Sequence, residues 1–151
     1  MLTAPRTTTV RTVEGSYVGP AFDDARVYDA MRVGVVTCRP ETKLADVARM
    51  MDGYGIHSVV VSGVQGEPGV WGIVTSLDLA RAADELASLT AQDVASTDLV
   101  TIRSNESLKR AAELMAEHGV THLIAVQPDA DQPAGMISAR GIAAALAYGR
   151  S

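Results

Sequence analysis

A threonine and an aspartate three residues apart are the most chemically suggestive pair in this 151-residue sequence. Thr75 and Asp78 follow a predicted strand, Val70–Val74, and stand where a helix is predicted to begin. A carboxylate accepts two hydrogen bonds at once, which suits the neighbouring 2′ and 3′ hydroxyls of a ribose. The free N–H groups and positive dipole of a helix start suit a phosphate. The pair therefore predicts a site for a ribose-containing ligand.

The same residues also fit a purely structural role. Thr75 or Ser76 would cap the predicted helix, and an aspartate in a first turn is favoured by the helix dipole in any protein. The residues alone leave both roles open.

The other residues with a capacity for catalysis or metal binding lack the spacing that such chemistry needs. Three histidines and one cysteine show neither H-x-x-x-H nor paired cysteines, so no metal site is predicted. Cys38 falls in a predicted strand, where a buried inert thiol is expected. Nucleophile-elbow and phosphate-loop glycine motifs are absent from the sequence, so no catalytic residue is predicted. His57 and His122 are predicted at equivalent strand positions of two repeats.

The elements that must position these residues repeat with a shift of 64 residues. Apolar residues recur at helical spacing in both copies, and each helix is followed by a glycine suited to stopping it. Each copy is predicted as strand, helix, strand, strand, helix, with closing helices at about Leu77–Leu89 and Gly141–Tyr148. The matched pairs are Leu44 and Leu108, Val47 and Ala111, Ala48 and Ala112, Met51 and Met115, and Gly55 and Gly119.

The repeats set the predicted organisation of the chain. Residues 27–89 form the first repeat and residues 90–151 the second, each too small to bury enough surface alone. Residues 1–26 are polar and turn-rich, and they are predicted to be a tail or an arm ordered by packing on something else. The alternation of strands and helices indicates an α/β or α+β fold.

Composition excludes several classes of partner. The 13 lysines and arginines are scattered and the formal net charge is -5, which argues against a nucleic-acid partner. The sequence has no apolar run of about 18 residues, so no membrane span is predicted. A single cysteine rules out an internal disulfide and favours a cytoplasmic location.

Two motifs resemble those of a known family. Gly72–Leu79 resembles the closing motif of a CBS domain (named for cystathionine β-synthase), and Asp29–Met31 resembles the opening. In tandem over about 27–148, the repeats resemble a CBS pair, or Bateman module. The resemblance implies two tandem β-α-β-β-α units packed through their sheets about a pseudo-twofold axis, and a homodimer. It also implies a free-standing regulatory module, not an enzyme, that requires no cofactor.

The resemblance further implies a ligand and its site. AMP, ADP, ATP or S-adenosylmethionine would bind between the repeats and modulate an unknown protein on another chain; the alternative is a ligand-free dimerisation module. In the first cleft, Val100 would line the adenine, and His122 and Arg140 would face phosphates. The predicted residues of the first cleft are Thr75, Asp78, Val100, Thr121, His122 and Arg140.

A second, weaker cleft departs from the family pattern. Gly141 stands where the first repeat has Asp78, so this cleft lacks the carboxylate for a ribose. The proline that many members carry in the second strand is also missing, with Val60 and Ile124 in its place. The predicted residues of the second cleft are Val36, His57, Ser58 and Ser138.

Overall fold

The computed structural model describes residues 17–67 and 69–150, which form two sheets flanked by helices. The elements are α1 (Val27–Ala30), β1 (Arg32–Val33), β2 (Thr37–Cys38), α2 (Leu44–Tyr54), β3 (Ser58–Ser62), β4 (Val70–Thr75), α3 (Ser76–Arg81), α4 (Ala91–Val94), β5 (Thr101–Arg103), α5 (Leu108–His118), β6 (His122–Val126), β7 (Pro133–Ser138) and α6 (Ala139–Tyr148). One sheet has the strand order β2-β3-β4 and the other β1-β7-β6-β5. We call the three-stranded sheet with its helices the first unit and the four-stranded sheet with its helices the second unit.

Helices α2 and α5 begin and end at equivalent positions of the repeat. Their buried residues are Leu44, Val47 and Met51 in α2, and the same positions 64 residues later in α5. Each helix ends at a glycine with φ 64°, in the left-handed region that glycine adopts without steric cost. The predicted helical pattern and its stop signals are confirmed. None of the helices in the described ranges is long and apolar enough to cross a membrane.

Strands β3 and β6 each pair with two neighbouring strands in their own sheet. Each is parallel to the strand that precedes it in the chain and antiparallel to the strand that follows. The three central residues of β3, Val59 to Val61, are fully buried. Burial on both faces explains why these strands read as continuous apolar runs without polar alternation.

Short segments are exchanged between the two units. The Val27 N–H of α1 donates to the Glu106 carbonyl in the second unit at 2.8 Å, and the Ala91 N–H of α4 donates to the Thr42 carbonyl in the first at 2.7 Å. Both donors and both acceptors are 64 residues apart, so one pseudo-twofold operation relates the two contacts. Val27 is buried in the core of the second unit and Ala91 in the core of the first.

Residues 17–26 extend the exchange. Tyr17 and Ala25 are buried among the core residues of the second unit, and the Leu108 N–H donates to the Ala25 carbonyl at 2.9 Å. The part of the predicted tail or arm in residues 1–16 lies outside the described residues.

The predicted closing helix Leu77–Leu89 is shorter than expected. Helix α3 ends at Arg81, and a 3₁₀ turn at Ala83–Glu85 follows. The chain must turn back because the Leu89 carbonyl accepts a hydrogen bond from the Leu44 N–H at 3.0 Å. A continuous helix would carry Leu89 away from the start of α2.

Each unit has its own hydrophobic cluster, and the units meet through their sheets. Val59 and Val61 belong to the cluster of the first unit, whereas Val60 between them is fully buried outside it. Ile124 of β6 is likewise buried outside the cluster of the second unit. Because side chains alternate along a strand, Val60 and Ile124 face away from the helices. They are therefore buried between the two sheets.

Gly135→Ala is expected to lower the free energy of unfolding by about 1–3 kcal/mol, as overpacked core substitutions do. A Cβ at Gly135 would overlap the carbonyl oxygen of Arg32 and meet the Met31 sulfur at 3.0 Å, which would push β1 off β7. Gly53→Ala, in helix α2 with open space around it, is the control and is expected to stabilise by roughly 0.5–1 kcal/mol. Urea unfolding measures the free energy of unfolding of both variants. Equal changes in the two variants would contradict the close approach of β1 to Gly135.

Candidate functional site: two clefts between the units

A cleft of about 480 Å³ lies between the two units beside the start of α3. The first unit supplies the end of β4, the first residues of α3 and the start of β3. The second unit supplies the segment before β5 and the turn between α5 and β6. Its lining residues are His57, Ser58, Ile73, Thr75, Ser76, Leu77, Asp98, Leu99, Val100, Gly119, Val120, Thr121, His122, Ile124 and Met136. This is the first cleft predicted from the sequence.

Four of the six predicted residues line the first cleft together. Thr75 comes from the end of β4, and Val100 from the segment that leads into β5. Thr121 and His122 stand at the start of β6, where the Thr121 Oγ1 and His122 Nδ1 atoms are 3.0 Å apart. The repeat therefore brings residues from both halves of the chain to one opening.

Asp78 is not among the residues that line the first cleft, but it closes a capping box with Thr75, which is. The Asp78 Oδ2 atom accepts hydrogen bonds from the Thr75 N–H at 2.8 Å and from the Thr75 hydroxyl at 3.0 Å. The Asp78 N–H donates back to the Thr75 Oγ1 at 3.2 Å. Thr90 and Asp93 form the same box at the start of α4. The structural role that the sequence allowed for Thr75 and Asp78 is thus present, and it occupies one oxygen of the carboxylate.

Arg140 does not line the first cleft; it lines a neighbouring cavity together with Ser138. Ser138 caps α6 as Thr75 caps α3, so Arg140, two residues after Ser138, corresponds to Leu77 in the first unit. Leu77 lines the first cleft, whereas Arg140 lines a cavity of about 700 Å³ beside the second unit.

The second cleft contains all four residues predicted for it. It has a volume of about 540 Å³ and is lined by Val36, His57, Ser58 and Ser138, together with Arg32 and others. A Cβ at Gly141 would stand 3.1 Å from the Ala30 carbonyl oxygen, because α1 packs closely against the start of α6. A side chain at this position would therefore require Ala30 or Ile137 to shift by a few tenths of an ångström.

The predicted equivalence of His57 and His122 is wrong by one residue. In the antiparallel pairs, Ser58 stands opposite Thr75 and His122 opposite Ser138. Since Thr75 and Ser138 are equivalent caps, the counterpart of His122 is Ser58. Both histidines nevertheless line both clefts, because the clefts share a wall near the pseudo-twofold axis.

Sequence reasoning missed the charged residue at each opening. Asp98, an exposed carboxylate, lines the first cleft, and Arg32 lines the second. The repeat relates Asp98 to Gly34, because each stands two positions before a valine predicted to line a cleft, Val100 or Val36. Asp98 could therefore have been found by extending the predicted lining two residues towards the N-terminus. No such signal existed for Arg32, which reaches the second unit only through the exchange of β1.

The family comparison matches most of the chain. The CBS domain family matches residues 27–85 and again residues 91–148. The chain belongs to this family. The two matches correspond to the tandem pair predicted from the sequence, and the two-sheet architecture agrees with the predicted fold class. CBS pairs are generally regulatory modules.

Similar proteins include enzymes and other CBS pairs. Homoserine O-acetyltransferase of Methanocorpusculum labreanum is 30% identical over 122 residues, which cover 80% of this chain and 24% of that protein. The chain spans about a quarter of the length of the curated relatives it matches.

Two solved CBS structures share the fold at low sequence identity. The CBS pair of protein MJ0100, in complex with 5′-methylthioadenosine and S-adenosyl-L-methionine, has a TM-score of 0.65 and 18% identity, covering 79% of this chain and 93% of that one. The CBS domain protein PAE2072 from Pyrobaculum aerophilum, complexed with AMP, has a TM-score of 0.68 and 20% identity, covering 82% and 98%.

The described part of this CBS pair holds no group of three His, Cys, Asp or Glu residues that could bind a metal ion. Cys38 is buried in β2, and burial raises the pKa of its thiol despite a hydrogen bond with Thr42 that lowers it. A raised pKa leaves little thiolate, the reactive form, near neutral pH.

We expect Cys38 to react with a thiol reagent at least about tenfold more slowly in the folded protein than in denaturant, because both burial and the raised pKa oppose attack. With an aromatic disulfide as the reagent, the absorbance of the aromatic thiol that it releases measures the rate at pH 7.5. The same protein in denaturant serves as the control, and equal rates in the two conditions would contradict a buried thiol.

Proposed function

We propose that this CBS pair binds an adenosine-containing ligand in the first cleft and acts as a regulatory module. One observation carries the proposal: the first cleft joins an apolar wall to a polar rim at a junction of the two units. Ile73, Val100 and Ile124 provide the apolar wall, and Thr75 and His122 belong to the rim. A cleft of about 480 Å³ lies within the range of small-molecule sites.

In this proposal Val100 contacts the adenine and Asp78 binds the ribose. Val100 is half-buried at the apolar wall, where a flat purine would replace water. Asp78 is half-buried and bonded to Thr75 of the cleft, and only its Oδ2 atom is engaged by the capping box. Its Oδ1 atom would accept hydrogen bonds from the ribose hydroxyls, while the cap holds the carboxylate in place.

The charge of the first cleft favours an adenosine ligand without phosphates. Among residues 17–67 and 69–150, no lysine or arginine lines it, and Asp98 adds a carboxylate at the opening. The carboxylate of Asp78 already occupies the start of α3, so that helix end offers little to a second anion. Because Arg140 lines another cavity, we infer a sulfur-linked adenosine of the S-adenosylmethionine class, and this revises the phosphate contact expected from the sequence.

Isothermal titration calorimetry with S-adenosylmethionine, 5′-methylthioadenosine, AMP and ATP tests this proposal. We expect both sulfur-linked ligands to bind at least about tenfold more tightly than ATP, a difference of about 1.4 kcal/mol in binding free energy. ATP binding more tightly would overturn the charge argument. No heat with any of the four would overturn adenosine binding.

Two variants related by the pseudo-twofold axis locate the ligand. Val100→Phe should fill the apolar wall of the first cleft and abolish binding. Val36→Phe places the same bulk at the equivalent position, 64 residues earlier, in the second cleft and should leave binding unchanged. Loss of binding in Val36→Phe alone would assign the ligand to the second cleft and refute the proposal.

Regulation would follow from linkage between ligand and conformation. A ligand that contacts both units favours the arrangement it binds best and shifts the population towards it. We propose that the change is transmitted to a partner protein on another chain, in a homodimer. A single buried thiol, Cys38, fits a cytoplasmic location.

A second candidate function is a ligand-free dimerisation module. Its support is a set of large exposed apolar side chains: Val33, Tyr54 and Leu146 are 80%, 67% and 64% exposed. Contiguous exposed apolar surface marks interaction sites, and Val33 and Tyr54 lie together at the second cleft. A dimer mass from light scattering, together with no ligand heat in calorimetry, would favour this function over the first.

A further inference from the structure

A cavity of about 460 Å³ lies where two hairpin loops meet, one from each unit. The loop between β3 and β4 touches the loop between β6 and β7, because a Cβ at Gly69 would stand 3.6 Å from the Cβ of Asp131. The cavity lies at the start of β4, and the first cleft lies at its end. Its described lining residues are shared neither with the two clefts nor with the cavity beside α6. We call it the hairpin cavity.

Trp71 lines the hairpin cavity from a β-bulge. In β4, Val70 pairs with Ser62 and Gly72 pairs with Val61, so Trp71 between them has no partner across the ladder. A bulge re-aims the side chain of the extra residue, and bulges are common beside binding and active sites. Trp71 is half-buried and packs against the core of the first unit, which limits the motion of its indole.

The equivalent bulge in the second unit carries an alanine. Ala134 lies between Pro133 and Gly135, which pair with Val126 and Ala125. The large aromatic side chain is therefore a feature of one hairpin and not of the repeat. A site that uses its indole is expected once in this chain, on the side of the first unit.

The charged residues that line the hairpin cavity are acidic, with Glu67 from the first unit and Asp131 from the second. Neither a lysine nor an arginine is among the described residues of its wall. The Arg103 Nη1 atom donates to the carbonyls of Gln127 and Ala130 at 2.8 and 3.2 Å, and so holds the loop that carries Asp131. The Arg103 Nη2 atom is 3.7 Å from the Asp131 carboxylate, which is longer than a hydrogen bond. The carboxylate of Asp131 can therefore still accept hydrogen bonds.

We propose that the hairpin cavity binds a small organic cation with an alkylated ammonium group. The face of an indole attracts such a cation, and this attraction grows when the cation is partly desolvated. Glu67 and Asp131 would balance the charge, while Val64 and Val70 would contact the alkyl groups. A volume of about 460 Å³ lies within the range of small-molecule sites. The site is independent of the proposed function of the first cleft.

NMR titration of the full chain with choline as the probe tests the site. Trp71 is the single tryptophan, so the one indole N–H signal reports on the hairpin cavity. The control ligand is the neutral analogue of choline in which carbon replaces nitrogen, so that shape is kept and charge is lost. At a constant ionic strength of about 0.15 M, choline should bind at least about tenfold more tightly than the analogue.

Two lining variants and one matched control test the role of the carboxylates. Glu67→Gln and Asp131→Asn should each weaken choline binding about fivefold, because each removes a negative charge that faces the cation. Asp129→Asn removes the same charge from an exposed position in the same loop outside the lining, and should change the affinity less than about twofold.

Each result supports or overturns the proposal. An indole signal that does not move at choline concentrations up to about 100 mM would overturn the site. Binding of the neutral analogue as tight as that of choline would overturn recognition of the cation. If Asp129→Asn weakens binding as much as the lining variants, the effect is one of net charge and the site is refuted. Val100→Phe, which fills the first cleft, should leave choline binding unchanged, so the two proposals can fail separately.

Discussion

Replacing Asp78 with alanine is expected to weaken binding of S-adenosylmethionine about 100-fold. The carboxylate would accept two ribose hydroxyls, and hydrogen bonds to a charged group together contribute roughly 3 kcal/mol here. The variant also loses the capping box with Thr75, which costs about 1 kcal/mol of stability. Calorimetry at a temperature where the variant is fully folded measures the affinity separately from the stability.

Asp93→Ala provides a matched control for the loss of the cap. Asp93 makes the same hydrogen bonds to Thr90, at 2.9 and 3.0 Å, as Asp78 makes to Thr75. It lines neither cleft, so its removal should cost similar stability and leave the affinity unchanged. If both variants bind equally well, Asp78 is a helix cap and nothing more.

The second large effect concerns how the two units are joined. Leu108→Ala is expected to lower the free energy of unfolding by about 3–4 kcal/mol, because Leu108 is fully buried in the second unit and leaves a cavity when truncated. The single tryptophan, Trp71, packs against the core of the first unit. If the exchanged segments make the units unfold together, Trp71 fluorescence should report the destabilisation in full.

Urea unfolding followed by both Trp71 fluorescence and circular dichroism measures the coupling. The two probes should give one midpoint, lowered by more than about 1 M in the variant. Leu44→Ala, the equivalent substitution in the first unit, should shift both probes by a similar amount. A fluorescence midpoint that stays at the wild-type value in Leu108→Ala would mean that the units unfold separately, in contradiction to the role given to the exchange.

The first cleft could be anticipated from the sequence to the extent that the repeat carries its residues. Thr75, Val100 and His122 come together because each stands at the end or start of a regular element whose position the 64-residue shift predicts. The sequence placed Arg140 in the first cleft, whereas it lines a cavity beside the second unit, because sequence alone does not say which side of a two-fold arrangement a helix start faces. Arg32 was missed for a related reason, since a two-residue strand has no pattern of its own.

The sequence by itself determined the longer elements that recur in the repeat. The apolar spacing that begins at Leu44 and Leu108, and the glycines that stop both helices, are local signals that can be read without knowing any long-range contact. Only the tertiary structure decided where α1 and α4 pack. A four-residue helix is unstable alone, so its place is set by where Val27 or Ala91 can be buried. That burial lies in the opposite unit, and it brings β1 onto β7 and Ala30 to the start of α6.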